Sequence, residues 1–195
     1  MFGLYKHFYN NVDAVICQCE FMRRDLSSCF SLPDELLLVI NNPVDVLRIT
    51  LQAKGTSDDC ELDSCNGNVL NVVAVGSLEK HKQYDQLIRA LSNLDRPWRL
   101  KLLGDGSELD NLKSLASNKG VLENINFMGR LNNPYPYMKT ADVLVLVSSF
   151  EGFPNVVLES LSLGTPVISY ECPGGVKEIL DGEEFGVLIP HNEET

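Results

Sequence analysis

The segment Glu151-Gly152-Phe153-Pro154-Asn155-Val156-Val157-Leu158-Glu159 sets a carboxylate at each end of a short Gly/Pro turn and the opening of an apolar run. An ionised carboxylate accepts strong hydrogen bonds from hydroxyl groups. Pro154 suits a first helical position. The run Val156, Val157, Leu158, Leu161 and Leu163 then predicts a helix, with Glu159 about two turns along it. Free backbone amides at the start of such a helix are a natural seat for phosphate. Two carboxylates flanking a phosphate seat could read a molecule with hydroxyls at both ends and phosphates in the middle. A nucleotide sugar has that layout. An exposed turn followed by an ordinary helix has the same spacing, so the surroundings must decide between the two.

Other clusters offer less chemistry. Lys80, His81 and Lys82 form the one dense basic patch in a predicted loop. Gly104-Asp105-Gly106 follows a predicted strand and opens a predicted helix, but Leu109 stands where a dinucleotide fingerprint needs its third glycine. A tight turn suffices to explain it, and neither NAD nor FAD is expected. There is no GxxxxGK[ST] phosphate loop, and Gly152 lacks the neighbouring serine of a hydrolase elbow. The 6 cysteines stand at 17, 19, 29, 60, 65 and 172, and the 3 histidines are scattered. Cys60 and Cys65 have no second ligand pair at suitable spacing, so no metal site and no cofactor are expected. Cys17 and Cys19 lie in an apolar run and read as core-facing or semi-buried thiols.

The chain has 195 residues, 44% of them hydrophobic, and a formal net charge of −11. Such an acidic chain is a poor partner for nucleic acid, because it lacks a basic surface to neutralise phosphates. It is equally ill suited to an anionic membrane as its main partner. The first residues show no signal-peptide pattern, and no run approaches transmembrane length. A cytoplasmic protein with reduced thiols is expected, with at most peripheral membrane association at the inner face.

The elements that must position Glu151 and Glu159 follow from the hydrophobic periodicity. Residues 12–19 read as a strand, 20–30 as a helix and 36–40 as a short buried strand stopped by Asn41-Asn42-Pro43. Residues 52–68 are polar, acidic and rich in Gly, Ser and Asn, as in a linker. A regular alternation begins at 69. Strands are predicted at 69–76, 98–104, 124–129, 141–148, 166–170 and 185–189. Helices are predicted at 83–94, 107–118, 155–163 and 175–180, with a helical turn at 136–140. Nearly continuous apolar strands separated by amphipathic helices predict an α/β fold, a doubly wound parallel sheet covered on both faces. Ligands of such sheets bind beyond the carboxyl ends of the strands. That singles out loops 76–82, 104–106, 129–133, 148–155 and 171–175.

In order along the chain, VVAVGSLEKHKQYDQLIRAL, LKLLGDGSELDNL, INFMGRLNN, ADVLVLVSSFEGFPNVVLESLSLGTPVIS, GGVKEILDG and FGVLIP closely resemble one known domain. It is the carboxy-terminal, donor-binding domain of retaining glycosyltransferases of family 4 (glycosyl transferases group 1), whose GT-B fold faces two Rossmann-like domains. The likeness runs over about residues 69–190. The earlier stretch DAVICQCEFMRRDL and LLLVINNPVD resembles the end of the family's first domain. The resemblance implies three segments: 1–50 as a remnant of the acceptor domain and connection, 51–68 as an acidic linker, and 69–195 as the nucleotide-sugar-binding domain.

By this resemblance Glu151 takes a sugar hydroxyl, and Glu159 holds the ribose hydroxyls. Gly152, Phe153, Asn155 and Val156 turn their backbone amides to the sugar and phosphates. Lys82 neutralises the diphosphate and so improves the leaving group. Gly76 gives the diphosphate room, and Arg130 and Leu131 border the base. Glu151 and Lys82 are thus the expected catalytic pair. Family members often carry Arg where Ser77 stands, and a hydroxyl brings no charge, so the diphosphate is expected to rest on Lys82, helped by His81. The implied reaction moves a hexose or N-acetylhexosamine, with retention, from a nucleoside diphosphate sugar (UDP-linked) to a saccharide or lipid-linked acceptor. Catalysis in the family needs both domains, so a separate amino-terminal domain is an expected partner. The alternative is a non-catalytic nucleotide-sugar-binding remnant or split subunit. Strands 14–18 and 36–40, without their parent sheet, are left three fates: packing on the remaining domain, pairing between chains, or mobility.

Overall fold

A computed structural model describes residues 8–9, 11–54, 69–180 and 185–190. Val15–Cys17 forms β1, Glu20–Phe30 α1, Leu37–Val39 β2 and Val46–Gln52 α2. Leu70–Val75 forms β3, Tyr84–Ser92 α3, Trp98–Leu103 β4, Leu109–Asn118 α4 and Ile125–Gly129 β5. Tyr135–Thr140 forms α5, Val143–Leu146 β6, Asn155–Ser162 α6, Val167–Glu171 β7, Val176–Ile179 α7 and Gly186–Pro190 β8.

Six strands make one parallel sheet in the order β5-β4-β3-β6-β7-β8. The central register sets Val72 beside Leu100 on one side and Val143 on the other. Successive side chains on a strand point to opposite faces, and β3 divides its residues accordingly. Val72 and Ala74 meet Leu87, Ile88 and Leu91 of α3 and Leu112 and Ala116 of α4 in one core. Val73 meets Leu144, Met138, Val157, Val176 and Leu180 in the core of the other face. This is the doubly wound α/β architecture expected from the alternation. It explains why the strands read as unbroken apolar runs: water reaches neither face.

The first residues build a smaller unit. β1 and β2 pair in parallel with each other, Val15 beside Leu37, and α1 covers them through a core of Cys17, Leu26, Leu32 and Leu37. Cys17 and Cys19 are fully buried, the deeper of the two placements expected. The unit is bound to the larger sheet by polar contacts. The Glu178 carboxylate accepts from the Glu20 and Phe21 amides at 3.0 and 2.9 Å, satisfying free donors at the start of α1. Cys19 Sγ donates to the Gly152 carbonyl at 3.7 Å. Asn133 Nδ2 donates to the Gln52 carbonyl at 2.9 Å.

Local boundaries differ from the periodic reading at several element ends; the strand expected at 141–148, for one, is Val143–Leu146. The strand expected at 12–19 is reduced to Val15–Cys17. The helix expected from 107 begins at Leu109, because Ser107 instead donates to Glu79 through both its amide and its hydroxyl. α2 was not anticipated, although Asp45 carries the signal, its side chain accepting from the Arg48 amide at 2.9 Å as an N-cap. The expected linker falls mostly on 55–68, and Cys60 and Cys65 with it, outside the described residues.

Candidate functional site

β3 and β6 lie side by side at the centre of the sheet, and their connections depart to opposite sides. That crevice is the topological switch point, where doubly wound sheets bind ligands. The loop after β3 ends in a 3-10 turn, Lys80–Lys82, and the loop after β6 carries Ser148 to Pro154. The two are stitched together. The Ser149 amide donates to the His81 carbonyl at 2.8 Å, and the His81 and Phe150 rings stack at 4.9 Å.

This stitching brings Lys82 and Glu151 into contact. Lys82 Nζ lies 2.6 Å from Glu151 Oε1, and Ser148 Oγ donates to the same oxygen at 2.6 Å. The two charged side chains are only 15% and 12% exposed, so solvent screens their attraction weakly. From the other side, the loop after β7 clamps Glu151. Its amide donates to the Pro173 carbonyl at 3.0 Å, and the Gly175 amide donates to the Gly152 carbonyl at 2.8 Å. Gly174 permits this approach. Its φ is +128°, and a Cβ there would sit 1.7 Å from the Glu151 carbonyl oxygen.

Gly76, Ser77, Arg130 and Leu131 line a neighbouring groove of about 510 Å³ with Gly104, Asp105 and Gly106. The Gly-Asp-Gly turn is explained by close packing. A Cβ on Gly104 would fall 1.8 Å from the Gly76 carbonyl oxygen, and one on Gly106 2.5 Å from that of Leu78. Arg130 and Ser77 are exposed, whereas Leu131 packs partly into the core.

Glu159 and Asn155 share a different cavity, of about 230 Å³, with Asp45, Arg48, Ile49 and Tyr135. Tyr135 donates its hydroxyl to Glu159 Oε1 at 3.4 Å. Burial pushes the Glu159 carboxyl above the usual glutamate range, and the Tyr135 hydrogen bond pulls it partly back. Asn155 is tied to the first unit, since Asn42 Nδ2 donates to its Oδ1 at 2.8 Å and Gln18 Nε2 donates to Asn42 at 3.0 Å. Pro154 sits one place earlier than the sequence suggested, as the N-cap, and no side chain caps this end of α6. Phe153 lines a third, apolar cavity of about 650 Å³ with Leu158 and Phe185, and Val156 packs against the core.

The fold thus unites Lys82 with Glu151, groups Gly76, Ser77, Arg130 and Leu131 along one groove, and sets Asn155 with Glu159 in another cavity. Ser148, Tyr135, Arg48 and Asn42 escaped the sequence reading. Ser148 adjoins the carboxylate segment and could have been noticed there; the others come from distant elements. Chemically, the ammonium can neutralise a phosphate and the two carboxylates can each accept hydroxyls. Among the described residues no cluster of three or more His, Cys, Asp or Glu could hold a metal ion. Nor is any described helix long and apolar enough to cross a membrane.

Residues 66–195 match the family described as Glycosyl transferases group 1. The N-acetylgalactosamine-N,N'-diacetylbacillosaminyl-diphospho-undecaprenol 4-alpha-N-acetylgalactosaminyltransferase of Campylobacter jejuni is 30% identical over 187 residues, covering 96% of this chain and 49% of that protein. The lipopolysaccharide core biosynthesis glycosyltransferase LpsE of Rhizobium meliloti is 31% identical over 182 residues, covering 93% and 51%. Among solved structures, Anabaena HepE in complex with UDP-glucose superposes with a TM-score of 0.84 at 22% identity, over 98% of this chain and 54% of that one. The chain spans about half the length of these relatives.

Proposed function

This chain belongs to the glycosyl transferases group 1 family, and on that premise we propose that it is the donor-binding half of a retaining family 4 glycosyltransferase. In this reading 69–195 bind the nucleotide sugar, 51–68 link, and 1–50 are the end of an acceptor domain. Lys82 meets the diphosphate and stabilises the charge that develops on the leaving group. Glu151 is held in place by Lys82 and Ser148 on Oε1 and offers its other oxygen to a sugar hydroxyl. The uncapped start of α6 takes phosphate between Glu151 and Glu159, and Glu159 takes the ribose hydroxyls. The departing phosphate assists the incoming hydroxyl on the same face of the sugar, so no separate catalytic base is assigned.

The observation that carries this reading is the Lys82–Glu151 contact at the switch point, with Glu159 on the helix that follows. The UDP-glucose in the HepE structure favours a UDP-linked hexose or N-acetylhexosamine. The names of the Campylobacter and Rhizobium relatives favour a lipid-linked or saccharide acceptor, with the protein working on the cytoplasmic side, at most peripherally on the membrane. Since reacting groups must be held together by both halves of the cleft, the chain alone binds the sugar nucleotide without transfer. In this reading the acceptor side of the cleft belongs to the facing amino-terminal domain of the fold.

The test is calorimetric titration with UDP, GDP and ADP. One nucleotide is expected to bind, and Glu159→Ala should weaken it. Equal failure of all three on the wild-type chain sinks the reading.

A further inference from the structure

Tyr84 opens α3, two residues beyond Lys82, and is 96% buried by its 4% exposure. Its ring packs in the core between α3 and the sheet, but its hydroxyl has no hydrogen-bond partner among the described residues. Buried hydroxyls are paired in almost all proteins, and an unpaired one calls for an explanation. The other buried orphan, Asn71 Oδ1, belongs to a residue whose amide nitrogen is already bonded to Asp142. Tyr84 has no such second bond.

The place of this hydroxyl is specific. A Cβ built on Gly76 would lie 2.7 Å from it and 3.6 Å from Lys82 Cε. The hydroxyl therefore stands against the bare α-carbon of Gly76 at the carboxyl end of β3, next to the stem of the lysine that reaches Glu151. Between Lys82 and Tyr84, Gln83 adopts φ +50°, a left-handed conformation that costs a non-glycine residue energy. That reversal turns both flanking side chains to Gly76. Burial, and then the Glu151 carboxylate, push the phenol well above its usual range, so it stays protonated and able to donate.

We propose that the Tyr84 hydroxyl donates a hydrogen bond to an anionic phosphoryl oxygen of the bound sugar nucleotide, beside Gly76 and Lys82. The inference rests on the donor-site reading above. A diphosphate is the acceptor that suits this corner, because it is anionic and is drawn by the neighbouring Lys82 ammonium. Tyr84 would then share with Lys82 the task of meeting the diphosphate, beside a Ser77 that brings no charge.

Tyr84→Phe removes the hydroxyl and keeps the ring. The probes are whichever of UDP, GDP and ADP binds, and its parent nucleoside. Without ligand, Tyr84→Phe is expected to melt at the wild-type temperature or higher, because it deletes an unpaired polar group. Its affinity for the nucleoside diphosphate should fall about tenfold, the scale of one hydrogen bond to a charged group, with nucleoside affinity unchanged. Wild-type affinity for the diphosphate in Tyr84→Phe, while Glu159→Ala still weakens it, overturns the inference and leaves the donor site standing. A lower melting temperature with equal loss for diphosphate and nucleoside assigns Tyr84 a structural role and overturns it too. No nucleotide bound by the wild-type chain overturns both readings.

Discussion

At the residue scale, the Lys82–Glu151 contact is a structural pair at the centre of the proposed donor site. Each side chain is nearly out of water and has the other as its counter-ion. Lys82→Met would leave the Glu151 carboxylate with Ser148 alone, so a loss of about 3 kcal/mol is expected, measurable by urea denaturation at neutral pH. Lys82→Arg should recover part of that stability. Glu159 behaves differently. Its pKa in the folded chain lies above the unfolded value, since burial penalises the charge before Tyr135 offsets part of it. The folded chain thus binds this proton more tightly, and stability falls as pH rises from the unfolded pKa through the folded one. Glu159→Gln should be more stable than wild type at pH 7, and the gain should vanish on acidification below about pH 4, the ordinary glutamate range. Thermal melts of both proteins across that range decide it. Nucleotide binding should show the opposite preference: the wild-type chain binds more weakly as Glu159 takes up its proton.

At the element scale, the site depends on three loops held at fixed spacing by backbone contacts. The loop after β7 is the one that tolerates least. Gly174 sits at a positive φ with its α-carbon against the Glu151 carbonyl, and the adjacent Gly175 amide holds Gly152. Gly174→Ala is expected to cost about 3 kcal/mol or more, with loss of nucleotide binding, because strain and steric overlap act together. A melting curve beside the binding titration measures both. The start of α1 offers a milder case. Its first two amides are satisfied by Glu178 from α7, and the third donates to the Cys19 thiol at the N-cap. Glu178→Ala should cost about 1 kcal/mol, the scale of a lost cap, and hydrogen exchange should quicken at α1 more than in the central sheet.

At the scale of the whole molecule, the small β1–β2 unit and the six-stranded sheet meet around the site. Gln18, Asn42 and Arg48 approach the same α6 that carries Asn155 and Glu159. Strands 14–18 and 36–40 find each other and pack, through α1, beside the larger sheet. The chain nonetheless spans about half the length of its relatives. In the reading proposed here it should bind a UDP-sugar yet form no glycosylated product with a lipid-linked acceptor unless a facing domain is supplied. Product analysis with and without that domain checks the expectation.

The sequence by itself determined the strands and helices and their doubly wound parallel sheet, while the strand order came with the tertiary structure. Continuous apolar strands can be satisfied only by burial on both faces, and local periodicity records that demand residue by residue. It also marked Glu151 and Glu159, because charged groups among glycines and apolar runs stand out, whereas Lys82 stood out only through the family resemblance. What only the tertiary structure decided was which of these groups meet. Lys82 and Glu151 come from separate loops, and the Ser149–His81 hydrogen bond between those loops leaves no pattern in the chain. α2 was hidden for a related reason: its sequence, VLRITLQ, has little intrinsic preference, and packing against α5 and α6 supplies what propensity lacks. Tyr84 was hidden most completely. Its ring obeys the helical periodicity of a core residue, and only the three-dimensional fold shows that its hydroxyl ends unpaired beside Gly76.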